Sequence, residues 1–247
     1  MYEYILSFNR CNQKCLFCMK AEDIEKRYKL TYNEVAKKII DAKNKGYKNI
    51  DFYGGEPTCF SFLKKAIKLA NNLGMRVTLA TNAVKFSSKE YTDYLFSGIN
   101  IEGIRTSLHS YKPEIHDTIT QIKGSFNKTI KGIKNILRYN KKLTINVVIN
   151  ALNYKDIVYM PDYIYELGVR GIKFSGLILS GRALINKWLA VDLPSFLPYF
   201  LKALIKAKKL RFYYIEYEKI PNVFKKNVLG FAKFIPDEDR SNTESII

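Results

Sequence analysis

Residues 49–57, Asn49-Ile50-Asp51-Phe52-Tyr53-Gly54-Gly55-Glu56-Pro57, read as a short strand that ends in a glycine pair, a carboxylate and a proline. A helical period over 59–73 and a further strand, Arg76–Ala80, follow directly. The same alternation extends outward in both directions. Strands are expected at Tyr2–Phe8, Asn49–Tyr53, Arg76–Ala80, Gly103–Leu108, Leu143–Ile149 and Gly171–Leu179, with helices at 31–45, 59–73, 88–97, 125–139, 155–167 and 194–209. Thr31 with Glu34 spells a capping box, and Ser125 is placed to cap a helix whose Phe126, Ile130, Ile133 and Leu137 share a face. Gly46, Gly74 and Gly168 stand where helices hand over to strands. Alternating strand and helix predicts parallel βαβ units with right-handed crossovers. A closed eight-unit barrel takes ~250 residues, so six units plus a tail predict an α/β fold, a partial (β/α)6 TIM-type barrel, in preference to a doubly wound sheet. Residues 1–210 form that core, and 211–247 form a C-terminal extension. Within the extension Phe212–Tyr217 reads as an edge strand with core aromatics, and the polar, acidic Pro236–Ile247 as a mobile tail.

The composition suits such a fold. Of 247 residues 47% are hydrophobic, 14% aromatic and 26% charged, which excludes a largely disordered chain. No apolar run approaches the ~18 residues of a membrane span, and MYEYILSFNR lacks the basic start of a signal peptide. A cytoplasmic protein with no membrane partner is expected. Lys and Arg exceed Asp and Glu by 41 to 23, a net charge of +18, which raises the question of nucleic acid. The lysines sit singly on helical faces, as at Lys128, Lys131 and Lys134, and abundant Asn, Ile and Tyr match AT-rich coding. No RNA-binding motif accompanies the charge.

Three of the four cysteines, Cys11, Cys15 and Cys18, form C-x3-C-x2-C in the loop after the first strand. Three thiolates in so short a loop can hold three irons of an iron–sulfur cube and leave the fourth iron open to a ligand. Structural zinc is the alternative. It requires a fourth protein ligand, from Cys59, His109 or His116, none in paired-knuckle spacing. Gly54-Gly55-Glu56 lies on the same barrel edge, where sites form at the C-terminal ends of strands. Its glycines permit positive φ and close backbone approach, and its carboxylate suits an ammonium group.

With CNQKCLFC at 11–18 and GGEP at 54–57, the chain resembles the radical S-adenosylmethionine (radical SAM) superfamily. The resemblance continues through Thr81-Asn82, where Ala83 replaces a family glycine, and through Thr106-Ser107-Leu108-His109. It extends to Glu114-Ile115-His116-Asp117 with Gly124-Ser125-Phe126, and to Gly181-Arg182-Ala183. It implies one [4Fe-4S] cluster on Cys11, Cys15 and Cys18, with SAM chelating the open iron. It further implies that Gly54, Gly55 and Glu56 receive the methionyl ammonium and that Ser107 reaches the ribose. Asn82 joins the cofactor site, and Phe17 lies beside the adenine with Arg182 or Ala183. The implied activity is reductive cleavage of SAM and hydrogen abstraction from a peptide or small cofactor precursor, with electrons from a donor such as flavodoxin or ferredoxin. No catalytic residue of the chain itself is assigned.

Two departures qualify the resemblance. Thr120 stands where peptide-modifying members often place an arginine for the SAM carboxylate, so either Arg105 or Arg182 takes over that task or the interaction is lost. No cysteine follows Ile220-Pro221, so auxiliary clusters are not expected. The competing readings are a tRNA-modifying enzyme, a glycyl-radical activating enzyme and a zinc-stabilised barrel without chemistry. IRTSLHS in the fourth strand lacks the aspartate-rich pattern of the activating enzymes. Cys59 reads as a small buried helix residue, and His116 as a local cap or pair. His109 is a candidate to face substrate.

Overall fold

A computed structural model describes residues 3–26, 28–219 and 233–234. The strands are β1 (Glu3–Phe8), β2 (Asn49–Gly54), β3 (Arg76–Thr81), β4 (Gly103–Ser107), β5 (Lys142–Val148), β6 (Gly171–Ser175), β7 (Tyr214–Glu218) and the two-residue β8 (Lys233–Phe234). All pair in parallel, and their order in the sheet is their order in the chain. A doubly wound sheet reverses direction partway; this one never does, so the barrel-type winding holds. The six expected strand–helix units are followed by a seventh strand, β7, which pairs with β6 along its whole length. The expected edge strand at 212–217 is thus part of the main sheet, and the expected tail Pro236–Ile247 lies outside the described residues.

The helices are α1 (Ala21–Glu25), α2 (Tyr32–Asn44), α3 (Leu63–Asn72), α4 (Lys89–Phe96), α5 (Pro113–Thr120), α6 (Ser125–Leu137), α7 (Met160–Glu166), α8 (Arg182–Ile185) and α9 (Leu193–Lys209). Thr31 and Glu34 close the capping box of α2 in both directions. Gly46, Gly74 and Gly168 take positive φ values of 87°, 70° and 91°, as helix ends require. Ser125 does not cap α6. Gly124 occupies that position, and Asp117 of α5 accepts the Gly124 and Phe126 N–H groups at 2.5 and 2.8 Å. A carboxylate fixed from a neighbouring helix satisfies the free N–H groups that a first-turn serine cannot reach.

Alternate strand residues explain where the core sits. Tyr4, Leu6 and Phe8 of β1, Ile50 and Phe52 of β2 and Val77 and Leu79 of β3 are buried beneath the helices. The other face points into the barrel and is polar. There Arg105 pairs with Asp51 at 2.9 Å, and Thr78 donates to Asp51 at 2.8 Å. One layer across, Lys173 pairs with Glu216 at 2.7 Å and Glu218 at 2.9 Å. Buried ion pairs contribute little net stability, because desolvation offsets their attraction. Their effect is to tie β2 to β4 and β6 to β7 from within.

Candidate active site at the carboxyl edge of the sheet

One cavity opens at the C-terminal ends of the strands and takes part of its lining from each of β2 to β7 and from the loop after β1. Cys11, Cys15 and Cys18 all line it. Their loop is held from three sides. Lys14 and Leu16 donate backbone N–H groups to Thr120 and Ile119 of α5 at 3.0 and 2.9 Å. Arg182 donates its N–H to Cys18 O at 3.0 Å, and Asn186 Nδ2 donates to Leu16 O at 3.0 Å. From β2, Gly55 and Glu56 donate to the Phe8 and Arg10 carbonyls, each at 2.6 Å.

The glycine pair serves this last contact. Gly54 takes φ +108°, and a Cβ there would lie 2.5 Å from Phe8 N; a Cβ on Gly55 would overlap the Arg10 carbonyl. The backbone that approaches the glycines is the chain's own cysteine loop, where a ligand was expected. Both glycines still line the cavity.

Glu56 is turned away from it. Its carboxylate is fully buried and accepts from Thr58 N–H (3.0 Å), Thr58 Oγ1 (2.6 Å), Thr81 Oγ1 (2.8 Å) and Asn82 N–H (2.6 Å). Burial pushes its pKa up and the four donors push it down, with burial the larger effect. Three donors meet at Oε1 and the Asn82 N–H at Oε2, so the carboxylate latches the end of β3 to the turn after β2.

Of the other expected contacts, Phe17, Asn82 and Ser107 line the cavity, whereas Arg182 and Ala183 do not. Arg182 reaches Glu25 at 2.7 Å and Cys15 O at 3.4 Å, and Ala183 is buried behind it. Asn82 Nδ2 donates to Asn12 Oδ1 at 2.6 Å, joining β3 to the cysteine loop. Thr120 faces α6, its hydroxyl 2.6 Å from that of Ser125. Between the two arginines proposed for its missing task, Arg105 is the one in the cavity. Cys59 lies half-buried in the turn after Glu56 and does not line the cavity.

His109 lines the cavity and stands edge-on to Phe17, ring centroids 4.9 Å apart. Its Nδ1 accepts the Val148 N–H at 3.4 Å, and its backbone N–H donates to His116 Nδ1 at 3.2 Å. Burial lowers both imidazoles, His109 well below its ordinary value and His116 to about 4. Both rings are therefore neutral at pH 7, with the proton on Nε2. Sequence reasoning missed Gln13, Asn146, Ser175 and Glu218, which also line the cavity. The available signal was a polar residue at every second position near the strand ends.

The thiols suit a multi-iron group. Burial pushes Cys11 up to about 12 and raises Cys15 and Cys18 too, so each needs a bound cation to become a thiolate ligand. Among the described residues no three His, Cys, Asp or Glu side chains converge as a single metal ion requires.

The barrel edge gathers three thiols, a glycine turn and a cavity that mixes apolar walls with charged and polar side chains such as Arg105, Glu218 and Asn146. The chain belongs to the radical SAM superfamily, whose family model matches residues 5–164. Members of this superfamily use SAM and an iron–sulfur cluster. The chain is 29% identical over 191 residues to the Fe-coproporphyrin III synthase of Methanosarcina barkeri, covering 74% of this chain and 46% of that protein. It is 28% identical over 165 residues to the GTP 3',8-cyclase of Nautilia profundicola, covering 65% and 51%. It therefore spans about half the length of these relatives. A crystal structure of Streptococcus suis SuiB bound to the precursor peptide SuiA shares the fold, with TM-score 0.65 and 18% identity over 83% of this chain and 46% of that one. Among the described residues no helix is long and apolar enough to cross a membrane.

Proposed function

We propose that the chain is a radical SAM enzyme that holds one [4Fe-4S] cluster on Cys11, Cys15 and Cys18 and acts on a peptide or small cofactor precursor. The observation that carries this reading is the placement of all three thiols on one cavity with Gly54, Gly55, Phe17 and Ser107. When bound, cluster and SAM together supply reductive cleavage of the sulfonium to methionine and a 5'-deoxyadenosyl radical, which takes a hydrogen atom from substrate. The chain's residues do the positioning. Gly54 and Gly55 offer backbone to the methionyl end, and Ser107 offers a hydroxyl to the ribose. Phe17, in T-shaped contact with the His109 ring, offers a flat face to the adenine. Arg105 stays charged beside Asp51 and is a cavity cation within the barrel that can serve the SAM carboxylate. The electron comes from a low-potential donor such as flavodoxin or ferredoxin.

The test is dithionite-dependent release of 5'-deoxyadenosine by protein reconstituted without oxygen. Wild type is expected to release it and Cys15→Ala to release none. Equal release by both, or none by either, contradicts the proposal.

A further inference from the structure

Gln13 sits inside the C-x3-C segment with its side chain buried, 6% exposed, and facing the same cavity as the three thiols. Its backbone N–H lies 3.4 Å from Cys11 Sγ, and the Cys15 thiol donates to its Oε1 at 3.7 Å. The carboxamide therefore lies against Cys15, and the Gln13 backbone against Cys11. Its Nε2 is buried with no hydrogen-bond partner. A buried donor left unpaired is destabilising and uncommon in folded proteins. It calls for an acceptor that arrives with the bound group.

Cluster binding supplies one. A cysteine bound to iron is a thiolate, with no proton to give Oε1, so the contact that now orients the carboxamide disappears. What remains beside Gln13 is sulfur that can only accept, facing a side chain with two N–H donors. Both changes favour the same arrangement, with the carboxamide donating to sulfur.

Building on the cluster reading above, we infer that Gln13 is a positioning residue that donates a side-chain hydrogen bond to a sulfur of the bound cluster and raises its reduction potential. Hydrogen bonds to sulfur are among the levers that set cluster potentials. The reduced cluster carries more negative charge, so a donor stabilises it more than the oxidised form.

The test uses Gln13→Leu and Gln13→Met, which keep the bulk of the side chain and remove both donors. Each is reconstituted without oxygen beside wild type, matched for iron and sulfide content, and titrated by redox-monitored EPR in the absence of SAM. Both variants are expected to show a more negative midpoint potential than wild type, by similar amounts. An unchanged or raised potential at equal iron and sulfide overturns the inference and leaves the cluster reading standing. A shift that appears only with SAM present overturns it too, because the donor then serves SAM. Loss of the cluster in both variants with native circular dichroism shows that Gln13 merely shapes the loop, and also overturns it. Wild type that takes up zinc and no sulfide removes inference and cluster reading together.

Discussion

The Glu56 carboxylate accepts the backbone N–H of Asn82 at 2.6 Å, across the gap between the ends of β2 and β3. With Thr58 and Thr81 it forms a closed hydrogen-bonded latch beneath the cavity floor. Glu56→Gln keeps one acceptor oxygen and turns an N–H₂ toward groups that donate. A loss of about 3 kcal/mol is expected, since hydrogen bonds to a charged group contribute roughly 1.5–3 kcal/mol each. Urea denaturation reads it. Weakened SAM binding with unchanged stability would put the carboxylate to work in the cavity instead.

Gly55 is predicted to be intolerant of any side chain. A Cβ there overlaps the Arg10 carbonyl, which is backbone and cannot rotate aside. Gly55→Ala should displace the cysteine loop and reduce iron bound per chain at least several-fold. Full iron occupancy in this variant would show that the loop does not depend on the glycine contact.

Ala83 is strained where the family carries glycine. Its φ of +59° lies in the left-handed region, which costs a non-glycine residue about 1–2 kcal/mol. Ala83→Gly relieves that strain but adds freedom to the unfolded chain, about 0.4–1 kcal/mol. The expected net effect is a gain of up to about 1 kcal/mol by thermal or urea unfolding. Ala83→Val should lose more than about 2 kcal/mol, because branching adds to the strain and the site is fully buried. Equal stability of the two variants would contradict this.

The buried pair His109 and His116 gives the protein a predictable acid limit. Both imidazoles titrate below the ordinary value of 6.5, so the unfolded chain takes up their protons first. Their contribution to stability is complete above pH 6.5 and is lost as pH falls toward the lowered folded-state values. The slope is up to about 1.4 kcal/mol per pH unit for each ring. Urea midpoints at pH 7.5, 6 and 5 should fall progressively, and His116→Gln should reduce the slope. A flat profile in wild type would mean that these rings are not held neutral.

How much of this was legible depends on how far along the chain each cause lies. The cysteine loop and Gly54-Gly55 were readable because their chemistry is local, and both line the cavity. The parallel βαβ units followed from the alternation of strand and helix, and the barrel-type order from the chain length. Glu56 was not readable, because the donors that fill it include Thr81 and Asn82, 25 and 26 residues away. Asp117 likewise displaced Ser125 as the cap of α6 only through the packing of one helix beside another. Arg182 resembled a cofactor contact, but its partners Glu25 and Cys15 lie at the other end of the chain. Short α8 gave too weak a periodicity to assign.

The central claim is that three thiols hold a cluster with one corner open to SAM. Protein reconstituted without oxygen should carry about four irons and four sulfides per chain. Once reduced, its EPR signal should change shape when SAM is added, because a ligand enters at the open iron. A signal indifferent to SAM, or a preparation holding one zinc ion and no sulfide, would contradict the account.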